Sequence, residues 1–231
     1  MELEACIETI EEAKAASLAK FNRVELCSAL DLGGLTPSSG LIQECAQHIE
    51  THVMIRPRAG DFVYSDEELT IMMQDICQAK HNGAAGVVFG CLDHTNSIDA
   101  AACKALVNIA NEISLDCTFH RAIDFVSEPL STLAQLIELG FNRVLTSGGK
   151  ATAPEGVGQI KKFVEITQSN IEIMAGSGIN ASNIKLIQSL GVHAAHFSIH
   201  QKNDESHLYG MGKRPLVDND KIRSIQSALK N

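Results

Sequence analysis

The sequence has no run of lysines and arginines, and its 19 basic residues are outnumbered by 28 acidic ones, which gives a formal net charge of −9. A surface of this sign repels polyanions, so we do not expect nucleic acid as a partner. No segment approaches the roughly 18 apolar residues that a membrane-spanning helix needs, and the first residues lack the basic segment of a signal peptide. We therefore expect a cytoplasmic protein with no membrane partner.

Cysteine is present, but not in a paired pattern. Seven cysteines are scattered over the 231 residues, and no two of them form a Cys-x-x-Cys motif. An odd and dispersed set fits neither a disulfide framework nor a zinc knuckle. We expect reduced thiols, most of them small residues of the core.

Strand-like and helix-like segments alternate along the whole chain. With 45% hydrophobic residues, 231 residues are enough for one well-buried core. Apolar, β-branched runs predict eight strands that begin near Leu3, Val24, Val53, Val87, Cys117, Val144, Ile173 and His196. Between them lie apolar stripes with helical spacing, such as Leu69, Met72, Met73 and Ile76.

Eight strand–helix units at nearly even spacing predict an α/β fold, a single (β/α)8 TIM barrel, with a doubly wound open sheet as the alternative. Pro129 is typical of a helix start, and Gly140 and Gly191 are typical of helix ends. The segment from Asp218 to Lys230 predicts the eighth helix. Residues 201–215 break the repeat and predict a loop after the eighth strand.

Side-chain alternation predicts which residues face the barrel axis. The outer face of each strand packs on helices, so the polar parity should point inward. This rule predicts the following inward set: Glu2, Glu4, Cys6, Arg23, Glu25, Cys27, Met54, Arg56, Arg58, Thr118 and His120. Several of these residues follow the ends of strands, and the active sites of such barrels lie at that mouth.

Two inward cysteines lie at the ends of neighbouring strands. The sulfurs of Cys6 and Cys27 could approach closely enough to hold one soft ion, and two thiolates suit Cu(I). The alternative is that both are ordinary buried cysteines. The sequence therefore leaves a copper site and a core role open.

Arginine, carboxylate and imidazole side chains gather at the same predicted mouth. We expect the guanidinium groups of Arg56 and Arg58 to bind one carboxylate or phosphate group together, with Asp61 at the rim of this site. His120 could shuttle protons near neutral pH and would form a catalytic set with Arg56 and Glu25. The alternatives are a neutralising Arg56–Glu25 pair and a hydrogen-bonded core histidine. His196, inside the eighth strand, is interpreted as a core residue.

Two glycine-rich loops follow the sixth and seventh strands: Ser147-Gly148-Gly149 and Gly176-Ser177-Gly178. Exposed amides in such loops bind anions, so the pair predicts an anion-binding pocket. The alternative is that the glycines only satisfy turns with positive φ. A further loop, Gly33 to Ser38, predicts a mobile segment that ends in a helix cap and closes over a ligand.

Six segments together resemble the CutC family, the so-called copper homeostasis proteins: Arg23 to Ser28, Val53 to Arg58, Gly86 to Gly90, Thr118 to Arg121, Arg143 to Gly149 and Met174 to Gly178. The resemblance runs through all eight repeats. It implies a TIM barrel and a cytoplasmic role in copper tolerance.

The resemblance also implies roles for particular residues. The copper-binding cysteines proposed for that family correspond to Cys6 and Cys27. Its strand-end arginines and histidine match Arg56, Arg58 and His120. The sequence departs from the family pattern at Ala59 and Ser177, where glycine is frequent, and this affects the loop shapes that we expect.

Two functional hypotheses follow. The first is a copper-handling protein in which Cys6 and Cys27 bind Cu(I). The second is a barrel enzyme that acts on a small carboxylated or phosphorylated metabolite, with His120 as acid and base. The fold alone does not decide between them, because this barrel carries many unrelated functions. A homo-oligomer is compatible with the sequence, but no feature favours one.

Overall fold

A computed structural model describes residues 1–167, 170–201 and 216–230 of the chain. Strands and helices alternate throughout these residues. The strands are β1 (Glu2–Ile7), β2 (Arg23–Leu26), β3 (Thr51–Met54), β4 (Gly86–Phe89), β5 (Asp116–Phe119), β6 (Arg143–Thr146), β7 (Glu172–Gly176) and β8 (Ala194–Ser198). The α-helices are α1 (Ile10–Leu18), α2 (Ser39–Ala46), α3 (Asp66–His81), α4 (Ala100–Glu112), α5 (Pro129–Leu139), α6 (Val157–Thr167), α7 (Ile184–Ser189) and α8 (Asn219–Lys230).

The strands close into a barrel in the order in which they occur in the chain. Every neighbouring pair is parallel, and β1 pairs with β8, which closes the ring. The register places Glu4 beside Arg23 on one side and beside His196 on the other. The predicted (β/α)8 barrel is confirmed, and the open doubly wound sheet is excluded.

Strand alternation separates two kinds of surroundings. Residues such as Ala5, Val24 and Phe197 belong to the large apolar core that lies between the strands and the helices. Burying these side chains stabilises the fold by about 25 cal/mol for each Å² of apolar surface removed from water. The opposite parity faces the barrel interior, where buried polar residues such as Glu4 and Arg23 lie. The charged side chains of the interior therefore need partners inside the barrel.

The ends of several helices follow the predicted signals. Pro129 is the first residue of α5, and Gly140 ends this helix in the left-handed region at φ +94°. Gly191, at φ +79°, follows α7 in the same way. Residues 202–215 of the predicted loop after β8 lie outside the described residues. Among the helices of the described ranges, none combines the length and the hydropathy needed to cross a bilayer.

Candidate functional site

The thiols of Cys6 and Cys27 converge on one carboxylate. Cys6 lies in β1 directly beside Glu25 of β2, and Cys27 follows the end of β2 with the same inward parity. The Sγ atom of Cys6 lies 3.2 Å from Oε2 of Glu25, and the Sγ atom of Cys27 lies 3.5 Å from the same oxygen. Both cysteines are buried. The expected approach of the two sulfurs is therefore seen in the structure.

His196 joins this group from β8, the strand that pairs with β1 and closes the barrel. Its Nε2 lies 3.6 Å from Oε2 of Glu25, and its Nδ1 lies 2.7 Å from Oε1 of Glu4. Cys6, Glu25 and His196 each offer one ligand atom, and these atoms lie within 4.8 Å of one another. The interpretation of His196 as a core residue misses this contact, although its inward parity opposite Glu4 is the signal that could have revealed it.

Both thiols hold their protons strongly. The hydrogen bond with Cys27, burial, and the charge of Glu25 raise the pKa of Cys6 well above its ordinary value. The hydrogen bond with Cys6 acts to lower the pKa of Cys27, but burial and the charge of Glu25 outweigh it and raise this pKa to about 12. The ligand form of cysteine is the thiolate, so a metal ion that binds here must displace protons.

A network of charged side chains surrounds the sulfurs inside the barrel. Burial acts to raise the pKa of Glu4, but its bonds to His196 and the charge of Arg23 outweigh burial and lower it. Burial acts to lower the pKa of His196, but the charge of Glu25 and the bonds to Cys6 and Glu4 raise it. Burial raises the pKa of Glu25. The result is an anionic Glu4 held between two cations, with Arg23 Nε at 2.5 Å.

The loop after β2 covers the cysteines. A short 3-10 turn, Leu30–Leu32, leads to Gly34, and Leu30 packs on the apolar cluster that includes Cys6 and Cys27. At Gly34 the backbone has φ +85°, and a Cβ atom there would lie 3.0 Å from the sulfur of Cys27. A residue with a side chain would be strained at this φ and would press on the sulfur of Cys27. The loop that sequence analysis expected to be mobile is closed over Cys27 in the structure.

Arg56 holds this covering loop to the loop that follows β3. Its Nη1 donates to the carbonyl oxygens of Leu32 and Gly34, at 3.0 and 3.1 Å, and its Nη2 donates to that of Gly60 at 2.7 Å. The alternative of an Arg56–Glu25 ion pair is not seen among the described residues, because Glu25 contacts the cysteines and His196 instead.

Arg58 and Asp61 lie apart from the barrel axis. The guanidinium of Arg58 contacts Glu68 in the first turn of α3, with Nε 2.5 Å from Oε1, and its Nη2 lies 3.0 Å from Oδ1 of Asp61. The expected inward direction of Arg58 is wrong, because strand alternation ends with β3 at Met54. Arg56 and Arg58 share no hydrogen-bond acceptor, so the structure does not bring them into one clamp.

His120 follows β5 and is a neutral donor. Its Nδ1 accepts the backbone N–H of Ala122 at 3.2 Å, which leaves the hydrogen of the neutral ring on Nε2. That atom is buried and has no hydrogen-bond partner among the described residues. Burial, together with the charge of Arg56, lowers the pKa of His120 to about 3. The role of His120 in acid–base catalysis stays a prediction.

An internal carboxylate occupies the glycine loop after β6. Oδ1 of Asp124 accepts the backbone N–H groups of Ser147 and Gly149, at 3.1 and 2.9 Å, and Oδ2 accepts the Ser147 hydroxyl at 2.9 Å. Gly148, with φ +71°, is pressed against the backbone of Gly156. The loop does have the shape of an anion site, but an external anion would have to displace Asp124.

The loop after β7 contains a strained serine. Ser177 has φ +77°, between Gly176 and Gly178, and its hydroxyl donates to the carbonyl of Ala151 at 2.8 Å. A residue with a Cβ atom is disfavoured in this region, so the structure explains why glycine would suit the position. Ala59, the other position at which the sequence departs from the family pattern, is not among the described residues with positive φ.

The strain at Ser177 predicts an ordering of two variants. Ser177→Gly and Ser177→Ala both remove the hydroxyl, but only the first removes the Cβ atom. We expect the free energy of unfolding of the glycine variant to exceed that of the alanine variant by about 1 kcal/mol. Urea denaturation of the two proteins measures this difference. An alanine variant at least as stable as the glycine variant would contradict the assignment of strain.

The chain is similar to proteins of one family over most of its length. The family model described as the CutC family matches residues 1–201. A curated relative from Pasteurella multocida, named as a family protein CutC, is 47% identical over 183 residues, which are 78% of this chain and 74% of the relative. A human relative, named copper homeostasis protein cutC homolog, is 44% identical over 179 residues, which are 77% of this chain and 65% of the relative.

The comparison of structures agrees. A crystal structure from Streptococcus agalactiae, described as a copper homeostasis protein CutC, superposes with a TM-score of 0.80 and 38% sequence identity. The match covers 86% of this chain and 99% of the other. Its barrel and the family match lead to one conclusion: this chain belongs to the CutC family.

Proposed function

We propose that this protein takes part in copper homeostasis in the cytoplasm by binding Cu(I) between Cys6 and Cys27. The observation that carries the proposal is that both sulfurs lie against the same oxygen of Glu25, at 3.2 and 3.5 Å. The two thiols also form a hydrogen bond with each other, so both sulfurs lie within reach of a single ion. The names of the human and mouse relatives, which refer to copper homeostasis, support the same assignment.

The chemistry of the donors suits a soft monovalent ion. Thiolates select Cu(I) over the harder cations that prefer oxygen ligands. Two thiolates and one Cu(I) ion together carry a single negative charge. The raised pKa of His196 makes its imidazole a cation next to the sulfurs, so it can balance that charge. Glu25 lies beside both sulfurs and can relay their protons as they leave the site.

Access to the sulfurs requires the covering loop to move. Cys27 is fully buried, and Gly34 lies directly against its sulfur. Arg56 fastens the same loop through the carbonyls of Leu32 and Gly34. We therefore propose that copper enters by transfer from a donor that reaches Cys6 and Cys27 while this loop is displaced.

Anaerobic competition with a chromogenic Cu(I) chelator tests the proposal. We expect Cys6→Ser combined with Cys27→Ser to weaken Cu(I) binding at least about 100-fold, because serine oxygens are poor ligands for this ion. Cys77→Ser is the matched control, since Cys77 is the exposed cysteine on α3 and lies far from the site in sequence. Equal Cu(I) affinity in the wild type and in the double variant would overturn the proposal.

A further inference from the structure

A cavity lies at the C-terminal mouth of the barrel, beside the copper site proposed above. Its volume is about 410 Å³, which falls within the range of cavities that hold small molecules. Loops that follow β2, β3, β4 and β5 form its walls. The residues that line it are Gly33, Arg56, Gly60, Asp61, Phe62, Val63, Leu92, Asn96, Arg121 and Phe125. Cys6, Cys27 and Glu25 are not among them.

Arg56 is a buried cation in this wall, and it has no carboxylate partner among the residues that the structure describes. It is only 5% exposed, and its Nη atoms donate to neutral backbone carbonyls. The other charged residues of the wall are paired among the described residues, Asp61 with Arg58 and Arg121 with Asp124. A buried charge without a counter-charge is costly, so the wall has one positive charge that a ligand can neutralise.

Hydrogen-bond donors exceed acceptors around this charge. The Nε atom of Arg56 is buried and has no partner among the described residues. The same holds for Nε2 of His120, which carries a hydrogen. Buried donors normally find an acceptor. An oxygen-rich anionic group would supply acceptors of the required kind.

The rest of the wall is apolar and aromatic. The guanidinium of Arg56 lies over the ring of Phe62, 5.2 Å from its centroid. The ring of Phe62 also contacts those of His120 and Phe125, with centroids 4.6 and 5.7 Å apart. Leu92 and Val63 complete this part of the wall. Such a surface fits the apolar body of a small ligand.

We propose that this cavity binds a small organic anion, with one carboxylate or phosphate group at Arg56 and an apolar or aromatic body against Phe62 and Phe125. The cavity shares no lining residue with the copper ligands proposed above, Cys6 and Cys27. A neutral molecule of the same shape lacks the charge that Arg56 requires and binds more weakly.

Isothermal titration with three related compounds tests the proposal. Benzoate and phenyl phosphate carry the two kinds of anionic group, and benzamide is the neutral counterpart of benzoate. We expect at least one anion to bind at least about tenfold more tightly than benzamide, the difference that one charge-assisted hydrogen bond makes. Tighter binding of phenyl phosphate assigns the site to phosphate esters, and tighter binding of benzoate assigns it to carboxylates. Equal binding of all three compounds, or none, overturns the proposal.

Variants of the cavity wall locate the binding. Arg56→Met should remove the preference for the anions over benzamide. Because this change also releases the covering loop, Phe125→Ala is a second variant; Phe125 is 60% exposed, and its loss should weaken both anions several-fold without unfolding the protein. Arg223→Met removes a surface arginine of α8 and is the control for net charge. Unchanged anion affinity in Phe125→Ala and Arg56→Met, with both proteins folded, overturns the assignment to this cavity.

Discussion

The apparent affinity for Cu(I) is expected to rise about 100-fold for each pH unit between roughly pH 6 and pH 8, because two protons leave when two thiolates form. Both thiols are protonated over this range, since the pKa of Cys6 lies well above 9.0 and that of Cys27 is about 12. The direction follows from mass action: a lower proton concentration favours the thiolate complex. Competition titrations at several pH values, corrected for the protonation of the chelator, measure the slope.

The slope distinguishes this site from ordinary cysteines. Exposed thiols titrate near their ordinary pKa, so their dependence on pH flattens at mildly alkaline pH. The buried pair should keep its slope to higher pH, because burial and the charge of Glu25 raise both values. In Cys27→Ser the slope should fall to about tenfold for each pH unit, since a single thiol remains. A wild-type affinity that does not change with pH would contradict two-thiolate binding.

Replacing Arg23 by methionine is expected to lower the free energy of unfolding by about 3–5 kcal/mol, because it leaves the buried carboxylate of Glu4 without one of its two cationic partners. Arg23 is 3% exposed, and its Nε lies 2.5 Å from Oε2 of Glu4. Arg23 also pairs with Glu2. Chemical denaturation at neutral pH measures the loss.

The effect of Arg23→Met should depend on pH in a defined direction. The lowered pKa of Glu4 means that its contribution to stability is present above its ordinary value of 4.5 and is lost as the pH falls through the folded value. The difference between wild type and variant should therefore shrink in acid. Arg223→Met is the control, since the exposed Arg223–Asp220 pair should contribute little. An equal loss of unfolding free energy in Arg23→Met and Arg223→Met would contradict this prediction, because burial of the Arg23–Glu4 pair would then add nothing to stability.

The sequence was sufficient for the architecture and for the cysteine pair. Even spacing of apolar runs predicted eight strands, and their parity predicted that Cys6, Glu25 and Cys27 share one side of neighbouring strands. These features depend on local repeats and on pairing between consecutive strands. Both can be inferred without knowing how side chains in distant loops meet.

The remaining contacts depend on parts of the chain that only the fold brings together. His196 reaches Glu25 because β8 closes on β1, at the seam where the two ends of the sequence meet. Asp124 fills the loop at Ser147 through a contact between the segments that follow β5 and β6. The direction of Arg58 toward Glu68 is set by the path of its loop beyond the strand. The contacts of Asp124 and Arg58 follow neither from periodicity nor from strand parity, whereas strand parity could have indicated only the inward direction of His196.

The most direct test of the copper assignment is an anomalous difference map, measured at the copper absorption edge, from crystals loaded anaerobically with Cu(I). The account predicts one dominant peak between the sulfur atoms of Cys6 and Cys27, next to Glu25. A copper peak only at Cys77 or at another surface group, with none between these two sulfurs, would contradict it.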